Sequence, residues 1–450
     1  MTGLTKQLAE FISTIAFDRL PAEGVETAKR GAIDCVGVMF AGRDEPVVAI
    51  ARELLRPDGG RGQARVLFDR GRAAAADAAL VNATAAHALD YDDTAMDGHP
   101  SVVLVSAVLA EGERLGSSGA DLIAAYVAGY ETWGELTWRD PDRHHGKGWH
   151  PTAVFGTLAA AAAASALARL DAGRAACALG IAASMAAGLV ANFGSMMKPF
   201  QVGRAVQNGL LAARLAAAGM SASPDALEHP IGFLHAVSPS GRVRLDGDIR
   251  AGRDWHILRH GINIKRYPVC YGIHRAIDAV LGVRSERPLA AGDIAEIEVT
   301  LGRVQAGMLR QHSPRTALDA KFSAEFAMAC AILAGRVGMA ELNDAFVAGA
   351  DVQSLMRKVR VESVEASDPD DPLFSPADSV RIRLRGGAAL QSEAVRRARG
   401  HAHNPIGVED LRAKFNDCVG GALAAEARER LFGRLLHLET LPGTGALYDA

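Results

Sequence analysis

This chain lacks paired cysteines. Its five cysteines (Cys35, Cys177, Cys270, Cys330, Cys418) are scattered, with no C-x-x-C pair. That spacing excludes a zinc or iron–sulfur framework, and the odd count argues against a disulfide scaffold. No Walker A loop occurs, and no G-x-G-x-x-G follows a strand-like run, so no nucleotide cofactor is expected. A basic field is missing too. The net charge is −3, which excludes nucleic acid as a partner and leaves a small anionic substrate to be held by local cations. The first residues, MTGLTKQLAEF, hold no basic stretch leading into an apolar one, so a reducing cytoplasm is the expectation and the Asn82-Ala83-Thr84 sequon is idle. The longest uncharged run, 153–170, is mostly alanine. Alanine is only weakly apolar, so this run reads as a buried helix and no membrane span is expected.

Lysine is scarce, occurring only at 6, 29, 147, 198, 265, 321, 358 and 414. In a chain that otherwise uses arginine, Lys198, Lys265 and Lys321 stand out because they fall in short polar islands. A lysine point charge suits a carboxylate. The alternative for each is a solvated surface side chain.

At 450 residues two domains are expected. Residues 1–262 read as helices: LTKQLAEFISTI, then VETAKRGAIDCVGVMFAG stopped at Gly42, then Ala-rich segments at 73–90, 101–115, 119–138, 153–170, 173–191 and 203–219. Small residues let such helices approach closely. After Pro268 the period changes. IAEIEVTL (294–301), KVRVESV (358–364) and SVRIRLR (379–385) alternate at period two, and Gly386-Gly387 joins the last to AALQSEAV as a hairpin. Helices are expected at 271–284, 324–336 and 338–348. From Gly407 onward helical periodicity returns. The expected fold is mainly α: a large all-helical domain (1–262 and 400–450) with a smaller α+β domain (263–399) inserted before the C-terminal helices.

The polar islands carry the chemistry. ALDYDDTAMDGHPS (88–101) packs Asp90, Asp92, Asp93, Thr94, Asp97 and His99 between apolar helices. Carboxylates and an imidazole in apolar surroundings need partners, and perturbed titrating groups gather at functional sites. Acid/base or substrate-ordering work is the favoured reading. Helix capping by Asp93-Thr94 is one alternative and a divalent metal the other. An EF-hand fails, since 95 and 101 are Ala and Ser. His150, before Pro151, is expected at a helix start, where a carboxylate is favoured; the alternative is a His bonded to a backbone carbonyl. Ser195-x-x-Lys198 matches a serine acylase pattern but lacks the later K-T-G and S-D-N, so Lys198 reads as a carboxylate anchor. Lys265 and His274 flank the change from helical to α+β sequence, where a ligand cleft or an ordinary ion pair would lie.

These islands resemble the MmgE/PrpD family. The matching stretches are HALDYDDT with GHPS (87–101), GWHPT (148–152), NFGSMMKP and GRAVQNG (192–209), IKRYPVCYGIHRAID (264–278), AKFS (320–323) and NPIGVEDLRAKF (404–415). The family includes 2-methylcitrate dehydratases, cis-aconitate decarboxylases and iminodisuccinate epimerases. The resemblance implies a helical domain with a smaller lid, a homodimer, and an active site lined by Asp90, Thr94, His99, His150, Lys198, Lys265 and His274. Two positions depart from the common pattern: Gln201 replaces a His, at a position read as substrate-binding, and Phe326 replaces a Tyr. The reading is a lyase free of metal and cofactor, acting on a small di- or tricarboxylate by proton transfer beside a carboxylate. Dehydration of a 2-methylcitrate-like acid comes first, iminodisuccinate-type epimerisation second and cis-aconitate decarboxylation third. A helical assembly module is the non-enzyme alternative, and it requires the islands to scatter over the surface.

Overall fold

The computed structural model describes residues 3–55, 62–69 and 71–448. It divides into two compact units, Met1–Asn263 with Glu409–Ala450, and Ile264–Val408. Among the described residues, no helix is long and apolar enough to cross a membrane.

The first unit is helical. Its main elements are α1 (Leu4–Thr14), α2 (Ala22–Ala41), α3 (Pro46–Leu55), α4 (Ala75–Ala88), α5 (Pro100–Leu115), α6 (Gly119–Arg139), α7 (His144–Lys147), α8 (Pro151–Leu167), α9 (Ala172–Met185) and α10 (Met197–Ala217). Two short strands, β1 (Ala64–Arg65) and β2 (Arg72–Ala73), pair antiparallel. The alanine run forms α8, which is buried on all faces and packs against α5, α6, α9 and α10. Close approach explains its composition. A Cβ on Gly129 of α6 would meet the Ala159 carbonyl oxygen at 2.7 Å, and one on Gly209 of α10 the Thr157 carbonyl oxygen at 2.7 Å. Overpacking of this kind costs about 1–3 kcal/mol.

The helix expected over 173–191 stops at Met185. Beyond it the chain turns extended at Ala186, and Gly188 takes φ 155°. The Gly188 carbonyl accepts from His150 N–H, and Leu189 bridges to Trp149. Tertiary pairing of the backbone overrides helix propensity there.

The second unit holds a four-stranded sheet, in the order β4 (Val359–Val364), β3 (Ile294–Gly302), β5 (Ser379–Leu384), β6 (Ala389–Gln391). β3 and β4 are parallel, and the other pairs antiparallel. Ile294, Ile297, Val299 and Leu301 of β3 point into the core with Ala276, Ile277, Val280 and Phe326 from the helices His274–Glu286 and Ala324–Ala334. Gly387 at φ 88° turns the β5–β6 hairpin. Over 338–348 only Asp344–Val347 is helical. Glu341 accepts from Gly338 N–H, and the Asn343 side chain accepts from Phe346 N–H. Local side-chain bonds of this type compete with a continuous helix. Residues 400–408, read from sequence with the C-terminal helices, fall in the second unit. Their neighbourhood is stitched there: Gly400 carbonyl accepts from Ile264 N–H, and Asp278 accepts from Arg399 N–H.

The C-terminal helix Val408–Val419 brings Lys414 into the first unit, 2.5 Å from Asp34 and 2.9 Å from the Tyr91 carbonyl.

Candidate active site

Three residues that precede prolines are placed by helix starts. His99 is the N-cap of α5, with Pro100 first in the helix; His150 is the N-cap of α8, with Pro151 first. Lys198 lies in the first turn of α10, before Pro199. Proline suits a first turn because the N–H it lacks has no helical partner there. It also pushes the residue before it out of helical conformation. His99 (φ −124°, ψ 86°) and His150 (φ −90°, ψ 100°) accordingly leave the helix axis. His99 N–H donates to Thr152 Oγ1 at 3.2 Å, tying the start of α5 to that of α8. Gly98 is required by proximity, since a Cβ would meet the Trp133 ring at 2.6 Å.

Between α4 and α5 the acidic loop is held in an unusual backbone conformation. Asp90 (φ 54°), Met96 (φ 49°) and Asp97 (φ 61°) are all left-handed. Such residues cost on the order of 1 kcal/mol each and persist where tertiary contacts fix them. The fixing contacts are the two backbone bonds of Thr94 to Asn263 and the Ala95–Gly98 bridge.

Asp92 is the centre of the cluster. It is fully buried. His87 Nδ1 lies 2.9 and 3.1 Å from its two oxygens. His99 Nδ1 lies 3.0 Å from Oδ2. On the other edge of His99, Nε2 is 3.7 Å from Asp90 Oδ1, and that oxygen accepts from Lys198 Nζ at 2.7 Å. The His87 ring meets His99 edge-on at 4.6 Å and stacks on His150 at 5.9 Å. His150 meets Phe193 edge-on at 4.8 Å, and Lys198 Nζ sits 5.1 Å from the same ring. Three islands distant in sequence thus share one locality of the first unit.

Burial sets the charge states. His87 is pushed down to about 4 by burial, against the pull of Asp92. It is therefore neutral at pH 7, and its Nδ1–H donates to Asp92. Burial alone would raise Asp92, but His87 and His99 together outweigh it and hold the carboxyl well below its usual range. His150 is pushed far down by burial first, then by His87, Lys198 and His99. Asp93 behaves differently. It is buried against Ser101, whose N–H donates to Oδ1 at 3.2 Å and whose hydroxyl bonds Oδ2 and touches Tyr126 Oη at 2.8 Å. The capping alternative is thus partly realised: Asp93 caps α5 from eight residues upstream. Burial, then the nearby Asp34, push it up to about 8.

The remaining sequence-derived positions fall as follows. Thr94 is half-buried on the Asn263 bridge. Gln201 is buried, with Nε2 2.7 Å from His150 Nδ1. Lys265 and His274 belong to the second unit and are buried there; His274 Nε2–H donates to the Val269 carbonyl at 3.1 Å, between the rings of Tyr267 and Tyr271. Phe326 is a core residue of that unit. Ser195 is exposed and donates to the Asn192 carbonyl at 2.8 Å, while Lys198 turns to Asp90, so no Ser–Lys pair forms. His87 was missed by sequence reasoning although it opens the HALDYDDT stretch. The available signal was an imidazole in the last turn of a helix, five residues before a buried Asp.

His87, Asp90, Asp92 and His99 bring one ligand atom each to within 4.8 Å of one another, a donor set that would suit a divalent ion. Its own members compete for those atoms: Asp90 is held by Lys198, and Asp92 by two imidazoles. A shallow, partly open pocket in the second unit is lined by Tyr271, Arg275, Asp371, Phe374, Arg396, Arg397 and His401. Its three arginines are already paired with Asp378, Asp368 and Asp370.

Residues 6–246 match the model of the MmgE/PrpD N-terminal domain, and residues 267–438 that of the MmgE/PrpD C-terminal domain. The chain is similar to the cis-aconitate decarboxylase of Mus musculus, 28% identical over 99% of this chain and 93% of that protein. It is similar to the Homo sapiens cis-aconitate decarboxylase (27%, covering 99% and 94%) and to that of Aspergillus terreus (25%, covering 100% and 96%).

Proposed function

The chain belongs to the MmgE/PrpD family, and on that premise we propose that it is a lyase without a bound cofactor, acting on a small tricarboxylate, with decarboxylation of a cis-aconitate-like acid as its reaction. The observation that carries the reading is the position of His99. It stands at a helix start, with Asp92 3.0 Å from one ring nitrogen and the Lys198-bound Asp90 3.7 Å from the other. The starts of α5, α8 and α10 meet there. Each helix N-terminus carries roughly half a positive charge, which favours a carboxylate.

The chemistry needs one proton and no oxidant. Loss of carbon dioxide from the carboxylate on the saturated carbon breaks one C–C bond. The released electron pair forms a new terminal double bond. The pair of the old double bond takes a proton at the carbon beside a second carboxylate. In this proposal His99 delivers that proton, Asp92 orients the ring, and Lys198 with the helix ends holds the remaining carboxylates. The similarity to cis-aconitate decarboxylases moves this reaction ahead of the dehydration that sequence alone put first. Dehydration of a 2-methylcitrate-like acid is the second reading, as the reaction that the motifs put first.

The test is turnover of cis-aconitate, 2-methylcitrate, citrate and iminodisuccinate in D2O, followed by NMR. The expected result is a decarboxylated product from cis-aconitate carrying one deuteron. Turnover of 2-methylcitrate or iminodisuccinate with none of cis-aconitate would replace the proposal. The homodimer expected from the sequence belongs to the same proposal, and light scattering showing a monomer at micromolar concentration would remove it.

A further inference from the structure

Gln201 is buried, and the structure places its amide against His150. We propose that Gln201 is a positioning residue that holds His150 as the neutral Nε2–H tautomer, making this imidazole a fixed hydrogen-bond donor to a substrate carboxylate that takes no part in proton transfer. The donor role rests on the tricarboxylate reading above; the tautomer does not.

The backbone of Leu189 decides which way the Gln201 amide faces. Gln201 Oε1 lies 3.0 Å from Leu189 N–H, which can only donate. Gln201 Nε2 lies 3.3 Å from the Leu189 carbonyl, which can only accept. Rotating the amide by half a turn would break both bonds, so the backbone of Leu189 fixes the NH2 group as the partner of His150. That NH2 donates to His150 Nδ1 at 2.7 Å. A nitrogen that accepts carries no proton, so the ring proton is on Nε2, on the opposite edge.

The surroundings keep the ring neutral. His150 and Gln201 are both almost fully buried. The titratable and charged groups facing His150 are His87, which stacks on it, with Lys198, His99 and His145. These are cations or potential cations, and burial adds to their effect. A second proton on Nδ1 would also leave two donors facing each other. The ring sits at the start of α8, where the positive end of the helix dipole favours an anion. A histidine at 201 could exchange protons with His150; glutamine cannot. His150 is thereby kept out of proton transfer in this chain.

The direct test needs no variant: imidazole 15N NMR of the native full-length chain without substrate, with the His150 resonances assigned by their loss in His150→Gln. The expected spectrum shows a neutral Nε2–H ring throughout pH 5–8. A neutral Nδ1–H ring, or a ring that becomes charged within that range, overturns the proposal. Gln201→Glu replaces the amide donor with an acceptor and should move the ring proton to Nδ1; a ring that stays Nε2–H also overturns it. Gln201→Met, of similar length and without donors, should give a mixture of tautomers in a folded protein, and a ring that remains wholly Nε2–H counts against the proposal. With the substrate found by the turnover screen, Gln201→Glu should raise KM on the order of ten-fold, with kcat changed far less. A drop in kcat at unchanged KM would sink the donor role. Failure of every acid in the screen would strike the tricarboxylate reading while leaving the tautomer test intact.

Discussion

Asp92 and Asp93 are adjacent in the chain and hold opposite charge states. Asp92 faces His87 and His99 and stays ionised. Asp93 faces Ser101, with Asp34 nearby, and is pushed up to about 8. Two buried carboxyl groups so close cannot both ionise cheaply, and their environments separate their roles.

The pair predicts a pH effect on stability. Asp93 titrates near 3.8 in the unfolded chain and near 8 when folded. Between those values the folded state holds a proton that the unfolded state has lost, so this group's contribution falls as pH rises through the window and is constant above it. Asp93→Asn removes the titration while keeping an acceptor for Ser101 N–H. Calorimetry should show native and variant melting alike near pH 5, and the variant melting higher at pH 8.5 by roughly 2 °C or more. His87 acts in the opposite sense, gaining stability as pH rises from about 4 to 6.5, but it is common to both proteins. Parallel melting curves for the two would refute the protonated Asp93.

His99→Ala should cut turnover by a factor on the order of 100 or more, with little change in melting temperature, because the ring is a proton-transfer group in a preformed cluster. A strongly destabilised variant with near-normal turnover per folded molecule would assign His99 to structure instead.

Lys198→Ala should raise KM by on the order of ten-fold or more, since a lost cation weakens a carboxylate in ground and transition states alike. It also leaves Asp90 without its 2.7 Å partner. An unchanged KM with reduced kcat would move Lys198 from binding to the chemical step.

His87 is expected to matter through Asp92. His87→Leu removes the N–H that Asp92 accepts and should lower both the melting temperature and turnover, the lost hydrogen bond to a charged group costing about 1.5–3 kcal/mol. His87→Asn retains a donor and should recover part of each. Equal behaviour of the two variants would show that the bond to Asp92 is unimportant.

Activity should survive EDTA, because Lys198 and the imidazoles already occupy the carboxylates of the one donor cluster found among the described residues. Loss on chelation, restored by a divalent ion, would convert His87, Asp90, Asp92 and His99 into a metal site.

Much of this was legible in the chain itself. Period-two runs located the strands, since alternation is a local consequence of one buried sheet face, and His-Pro pairs located two helix starts, since proline restricts its own backbone and its neighbour's. The order of the polar islands pointed to the family. Other features depend on contacts between distant residues. Residues 186–191 read as helix until Trp149 and His150 claim their backbone. Sequence cannot tell Asp92 from Asp93, because their charge states come from groups on other elements. Nor can it tell that Gln201 faces His150, fifty residues away. Local steric rules act between neighbours and are written in the order of residues; charge state, tautomer and the direction of a hydrogen bond depend on which side chains burial brings together, and only the tertiary structure decides that.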